Sequence, residues 1–144
     1  MREEIIDSPT GWVSNHIQTY LAGTGYDYHG FPSLLLTTRG RRSGKLRRTP
    51  LIFGRHGDSY VVVGSNGGGD DHPLWYLNIE ADPSVEVQVH EEVFAAVARD
   101  ATPAERPGLW ALMVGIFPTY DTYRQKTERE IPVVVLTPAP PSAR

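Results

Sequence analysis

Cysteine is absent from this chain of 144 residues, and with it go disulfides, thiolate nucleophiles, iron–sulfur clusters and cysteine zinc sites. Long apolar runs are missing too. Nothing approaches membrane-spanning length, and Met1-Arg2-Glu3-Glu4-Ile5-Ile6 lacks the apolar core of a signal peptide, so the expected location is the cytoplasm. The five histidines, His16, His29, His56, His72 and His90, stand at no recognisable metal-ligand spacing, and no metal site is expected. Extremes of composition are also lacking: with 40% hydrophobic and 22% charged residues, neither a disordered chain nor a fibrous one is indicated. The length then reads as one globular domain without internal repeats.

What is present is an uneven charge. The net value of −3 argues weakly against nucleic acid as a partner, but the distribution is more informative. Arg39, Arg41, Arg42, Lys45, Arg47 and Arg48 are six of the fourteen Lys and Arg, and no acid interrupts them. The rest of the chain holds eight bases against seventeen acids. A positive island on an acidic body reads as the site of a small ligand carrying several negative charges; the plain alternative is a solvated basic face.

Ser8-Pro9 offers an N-cap and a first-turn proline, and Val13, Ile17, Tyr20 and Leu21 recur at helical spacing, which predicts an amphipathic N-terminal helix. Its apolar face would cover the domain, or approach a membrane surface or substrate. Gly23, Gly25 and Gly30 then make a loop. From Ser33 the grammar turns to strands: Leu34 to Thr38, a return through Arg48 to His56, and Ser59 to Gly64, whose continuous apolar character predicts burial on both faces. Ser65-Asn66-Gly67-Gly68-Gly69-Asp70-Asp71 is a loop that lets backbone approach a ligand or another segment. A short helix follows His72-Pro73, with Leu77 expected to pack into the core, and Val85 to Val89 with Val93 to Arg99 reads as a hairpin. Thr102 and Glu105 form a capping-box pattern ahead of Leu109, Leu112, Met113 and Ile116, with Pro107 calling for a separate first turn. Pro118 breaks that helix, Tyr120 and Tyr123 lie at i, i+3, Pro132 to Leu136 is the last strand, and beyond Thr137 the chain is too rich in proline for the core. Hairpin-linked strands without parallel crossovers predict a small antiparallel barrel with peripheral helices.

Guanidinium groups hold phosphate or carboxylate through paired, charge-assisted hydrogen bonds, and Ser43, Thr49 and glycine-freed amides can complete an anion cradle. Gly40-Arg41-Arg42-Ser43-Gly44-Lys45 is one residue short of a nucleotide-binding P-loop and has Leu46 where Ser or Thr is required, which excludes a nucleoside triphosphatase. Ser43, Ser65 and His72 lack the context of a hydrolytic triad. Leu74 to Asn78 can place rings beside a planar heterocycle and an amide at its polar edge. Without interleaved aromatics, the basic hairpin is a poor nucleic-acid surface.

Taken together, several motifs in order resemble the deazaflavin-dependent nitroreductase family, small split-β-barrel proteins that use coenzyme F420. They are Leu36-Thr37-Thr38-Arg39-Gly40-Arg41-Arg42-Ser43-Gly44-Lys45, Arg47 to Leu51, Val63-Gly64-Ser65-Asn66-Gly67-Gly68, Pro73-Leu74-Trp75-Tyr76-Leu77-Asn78, Ala98-Arg99-Asp100-Ala101-Thr102 and Tyr120-Asp121-Thr122-Tyr123. The resemblance spans roughly residues 34 to 138. It implies a mainly β fold with peripheral helices, a split β-barrel of the flavin-reductase or FMN-binding type with about six antiparallel strands. The organisation it implies is a helix and loop over residues 1–30, a cofactor-binding barrel over 31–138, and a disordered or extended tail over 139–144.

By the same resemblance, Arg41, Arg42, Ser43, Arg47 and Arg48 line the groove for the cofactor's phosphate and oligoglutamate tail, with Thr49, Pro50, Leu51 and Ile52 beside it. Val63, Gly64, Ser65 and Asn66, and Leu74, Trp75, Tyr76, Leu77 and Asn78, surround the deazaflavin end. Tyr120 lies toward the substrate as a polar lid, and Ser65 hydrogen-bonds acceptor or cofactor. The implied reaction is hydride delivery from reduced F420 to a quinone or nitroaromatic acceptor. FMN is the alternative cofactor, and a deazaflavin-binding protein without turnover the non-catalytic alternative. For a quinone, the N-terminal helix would offer a peripheral membrane contact. Two positions depart from the family pattern: Asn66 stands where many relatives have lysine, weakening an anionic contact, and Phe117 stands where some have tyrosine, which puts nitroimidazole reduction in doubt.

Overall fold

The computed structural model describes residues 3–7 and 11–139, the side chains of residues 11 and 12 excepted. Its strands are β1 (Ile5–Asp7), β2 (Asp27–Tyr28), β3 (Phe31–Arg39), β4 (Leu46–Ile52), β5 (Gly54–His56), β6 (Ser59–Val63), β7 (Ser84–Val89), β8 (Glu92–Asp100) and β9 (Val133–Pro138). The helices are α1 (Gly11–Leu21), α2 (Leu74–Ala81), α3 (Arg106–Ile116) and α4 (Thr119–Gln125), with a single tight turn over Asn66–Gly68.

The mainly β fold with peripheral helices is present, but about six strands becomes nine. Eight run in the order β1-β4-β3-β7-β8-β9-β6-β5, and β2 pairs with β3. The expected single strand from Arg48 to His56 divides at Phe53, because its two halves serve opposite ends of the sheet: β4 pairs with β3, and β5 with β6. Phe53 is buried, its amide donates to the carbonyl of Pro32, and its ring packs on Tyr60. Hydrogen bonds therefore leave the curled sheet open, while the covalent chain joins its two ends. One pair departs from the antiparallel expectation. β1 lies parallel to β4, with Ile6 opposite Arg47 and Asp7 opposite Arg48. It was illegible as a strand because three residues are too few for a period, and it places part of the expected helix-and-loop segment in the sheet. At the other end β9 runs on to Pro138, with the amide of Ala139 bonded to the carbonyl of Ala95.

Period-2 alternation explains why these strands are apolar throughout. Leu34 and Leu36 of β3, Val62 of β6, and Val134 and Leu136 of β9 face inward with Val85, Val87, Ala96 and Ala98. The intervening residues pack outward under helices. Val61, Val63, Val133 and Val135 meet Leu109, Trp110 and Met113 of α3, while Leu35 meets Val13, Ile17 and Tyr20 of α1. The apolar face of α1 is thus turned onto the sheet, and Asn15, Gln18 and Thr19 are exposed. The Ser8-Pro9 cap lies outside the described residues. The capping box at α3 is formed: the Thr102 amide donates to Glu105 at 2.9 Å and the Glu105 amide to Thr102 at 3.2 Å, in a turn that precedes the helix and accommodates Pro107. α2 sends Trp75, Tyr76 and Ile79 into the inner core, whereas Leu77, expected there, stays half-buried.

Candidate functional site

The turn between β3 and β4 is closed by its own backbone, Gly40 N donating to Lys45 O at 2.7 Å and Gly44 N to Gly40 O at 2.8 Å. Ser43 Oγ accepts from the Lys45 amide, which keeps the serine hydroxyl proton available. This turn is tied to α2 through Asn78. The buried Asn78 amide donates to Thr38 Oγ1 at 3.0 Å, and its oxygen accepts from the Arg41 backbone amide at 3.1 Å. Expected at the polar edge of a ligand, the Asn78 side chain is instead a brace between helix and hairpin.

Between hairpin, β1 and α2 lies a cleft of about 1000 Å3. Of the residues singled out from sequence, Arg41, Arg42, Ser43, Arg47, Arg48, Thr49, Asn66, Leu74, Trp75 and Asn78 line it. Pro50, Leu51, Ile52, Val63, Gly64, Ser65, Tyr76, Leu77 and Tyr120 do not. Ile6, Asp7, Thr38, Gly40, Asp71, His72 and Pro73 line it as well and were missed. Thr38, Gly40 and Pro73 stood inside the quoted motifs without being assigned a site role; for Ile6 and Asp7 there was no signal, since β1 arrives from far along the chain.

Asp7 changes the electrostatics. Along the chain no acid interrupts the basic island, but in space β1 and the residues just before it deliver two. Asp7 grips the half-buried Arg48 through Nε at 2.6 Å and Nη2 at 3.1 Å, and Glu3 grips Arg39 through both Nη atoms at 2.6 and 2.8 Å. Arg48 is paired in a part-buried setting and Arg39 at the surface, so both have carboxylate partners within the chain. Arg41, Arg42 and Arg47 meet no carboxylate within ion-pair distance among the described residues, and all three are exposed on the cleft. At the α2 end the wall becomes apolar, with Trp75 at 8% exposure and Leu74 at 74%. The cleft therefore offers cations at one end and an aromatic face at the other.

Glycine in the 65–71 loop serves the protein itself. Gly68 has φ +81°, and a Cβ there would meet the Tyr123 backbone of α4 at 3.0 Å, so the loop is pressed onto a helix. Asn66 takes φ 47° and its amide donates to the Asp71 carbonyl at 3.1 Å. Ser65 is buried, its carbonyl bonded to Arg129 and to the Gly68 amide. Arg129, which no sequence signal marked, holds the whole loop.

Tyr120 is buried in the outer core with Trp110, Phe117 and Tyr123 around it, and burial pushes its phenol well above the ordinary tyrosine value. Burial, with a 2.8 Å hydrogen bond to Asp100, does the same for Tyr76. Both phenols are protonated at neutral pH, and neither is poised to give up a proton. No group of His, Asp or Glu able to hold a metal occurs among the described residues.

Against known proteins, residues 12–138 match the family model described as F420H(2)-dependent quinone reductase. An F420H(2)-dependent quinone reductase of Mycobacterium tuberculosis is 39% identical over 109 residues, 74% of this chain and 73% of that protein. A solved F420-H2-dependent reductase, FDR-A, is 40% identical, with a TM-score of 0.68 and coverage of 73% of this chain and 93% of its own. A structure described as a domain-swapped dimer shares 37% identity and a TM-score of 0.70, covering 90% of this chain and 99% of that one. At 16% identity and a TM-score of 0.59, the haem storage protein HutZ of Vibrio cholerae shares the fold alone.

Proposed function

The chain belongs to the F420H(2)-dependent quinone reductase family and is an F420-dependent oxidoreductase; from that premise we propose that it reduces quinones, with planar nitroaromatics as a second acceptor class, in the cleft between the β3–β4 hairpin and α2. The single observation that carries this reading is the juxtaposition of Arg41, Arg42 and Arg47, without carboxylate partners among the described residues, with the apolar wall of Leu74 and Trp75 in one cleft. Such a donor set fits a ligand with a polyanionic tail and a planar head.

Arg41, Arg42 and Arg47 bind the phosphate and tail carboxylates, and Ser43 and Thr49 add hydroxyl donors. Arg48, fixed by Asp7, sets the floor of that end. Trp75 and Leu74 give the ring system an apolar bed and keep water from one of its faces. Asn78 holds the two ends of the cleft at a constant separation. When bound in reduced form, coenzyme F420 supplies the hydride; the chain's own residues orient donor and acceptor, and the acceptor's proton comes from solvent. Ser65 and Tyr120 are assigned no contact with the reacting atoms, being buried behind the loop and in the outer core respectively.

Purified protein mixed with an excess of reduced F420 and menadione is expected to oxidise the cofactor through many turnovers, at a rate proportional to protein concentration. Oxidation no faster than the protein-free control would sink the assignment as an enzyme for quinones. Replacing menadione with a nitroaromatic compound tests the second acceptor class, and parallel titrations with FMN test the cofactor.

A further inference from the structure

Between α4 and β9, Arg129 reaches back under the glycine loop. Its Nε donates to the Gly69 carbonyl at 2.9 Å, Nη1 to Gly64 at 3.2 Å and Nη2 to Ser65 at 2.8 Å, so one guanidinium gathers carbonyls from both ends of the loop. Nη1 also lies 2.9 Å from Nδ1 of His72, a residue that lines the cleft. Guanidinium has donors and no acceptor. Nδ1 therefore faces it with a lone pair, and the neutral ring carries its proton on Nε2. The Tyr76 ring, 4.9 Å from that of His72, packs against the imidazole and limits its rotation. Lysine could not replace Arg129, because a single ammonium cannot span three carbonyls and an imidazole nitrogen.

We propose that Arg129 is a positioning residue of the cofactor cleft, which fixes His72 as a neutral hydrogen-bond donor, through Nε2–H, to an oxygen of the bound cofactor. The inference deepens the cofactor reading and rests on it. Arg129 turns three carbonyl dipoles away from an anionic ligand and occupies Nδ1, leaving His72 one proton to offer. The donor adds hydrogen bonding without adding charge to a cleft that already has Arg41, Arg42 and Arg47.

The test pairs a readout in the ligand-free protein with one on the cofactor. In protein labelled with 15N-histidine, with the His72 signal identified by its loss in H72Q, the ring is expected as a single tautomer protonated at Nε2. In R129K its shifts should move toward an average of the two tautomers. In fluorescence titrations with F420, H72Q is expected to stay within about twofold of native affinity, since its amide can accept from Arg129 and donate to the ligand, while H72L weakens binding by about tenfold. In the R129K background, the loss caused by H72L should shrink below about threefold. A ring protonated at Nδ1, an H72L affinity equal to native, or an H72Q affinity as weak as that of H72L would each overturn the proposal. Failure of the native protein to bind F420 at low salt would overturn the functional reading and the ligand role of His72 with it, while the ring spectrum still decides the Arg129–His72 pairing.

Discussion

Asn78 is the residue on which hairpin and helix depend together. Its amide is buried between Thr38 and the Arg41 backbone, so Asn78→Ala strands two polar partners at once. A loss of about 2 kcal/mol in urea unfolding is expected, with a weaker cofactor titration because the Arg41 turn is no longer held. Arg47→Ala, by contrast, removes an exposed cation. Stability should be nearly unchanged, F420 affinity should fall by about tenfold, and the variant's binding should depend less on salt than that of the native protein. The two residues also show how far sequence carried. Arg47 was legible as a candidate ligand group, and it does line the cleft, because charge is visible in a string of letters. The role of Asn78 was not, because a brace is defined by partners 37 and 40 residues away. For the same reason the neutralisation of Arg39 and Arg48 by Glu3 and Asp7 could not be read, although all four residues were in plain view.

Among the elements, those with a long period or a named cap were legible: α1, α3 with its capping box, and the β7–β8 hairpin with its alternating valines. The elements that failed were β1 and β2, too short for periodicity, and the β4–β5 division, which arises only because the sheet curls. The glycine loop was visible, but its purpose was ambiguous until Gly68 was found against α4. Gly68→Ala combines a left-handed φ with a clash against backbone, and should destabilise the fold by about 1–3 kcal/mol in thermal or urea unfolding. Docking of α1 should depend on pH. His16 belongs to this helix and packs beside Tyr20 and Tyr28, and neither of its buried nitrogens meets a hydrogen-bond partner among the described residues. Burial first, and repulsion from His29 second, hold its imidazole below the ordinary value of 6.5. The unfolded chain then accepts a proton that the folded one resists, so this contribution is constant above that pH and stability falls as pH drops below it. Hydrogen exchange in α1 should accelerate on acidification in the native protein, and the acceleration should be smaller in His16→Phe.

For the molecule as a whole, the acidic body and the basic cleft divide the work. An excess of seventeen acids over fourteen Lys and Arg repels polyanions at long range, whereas three exposed arginines on one hairpin attract them locally. The proposed binding therefore depends on the geometry of one turn, which β1 and Asn78 hold from two directions, while Arg129 holds the neighbouring glycine loop. The curled sheet anchors α2 through Trp75, Tyr76 and Ile79, and Trp75 also lines the cleft. This cleft is expected to select a deazaflavin with a polyanionic tail over a flavin with a single phosphate. Equilibrium titrations of the native protein with F420 and with FMN, at about 0.05 M and about 0.5 M salt, test it most directly. Saturable F420 binding that weakens at the higher salt and exceeds FMN binding at the lower one is the predicted result. No F420 binding at low salt, or an equal affinity for FMN, would contradict it.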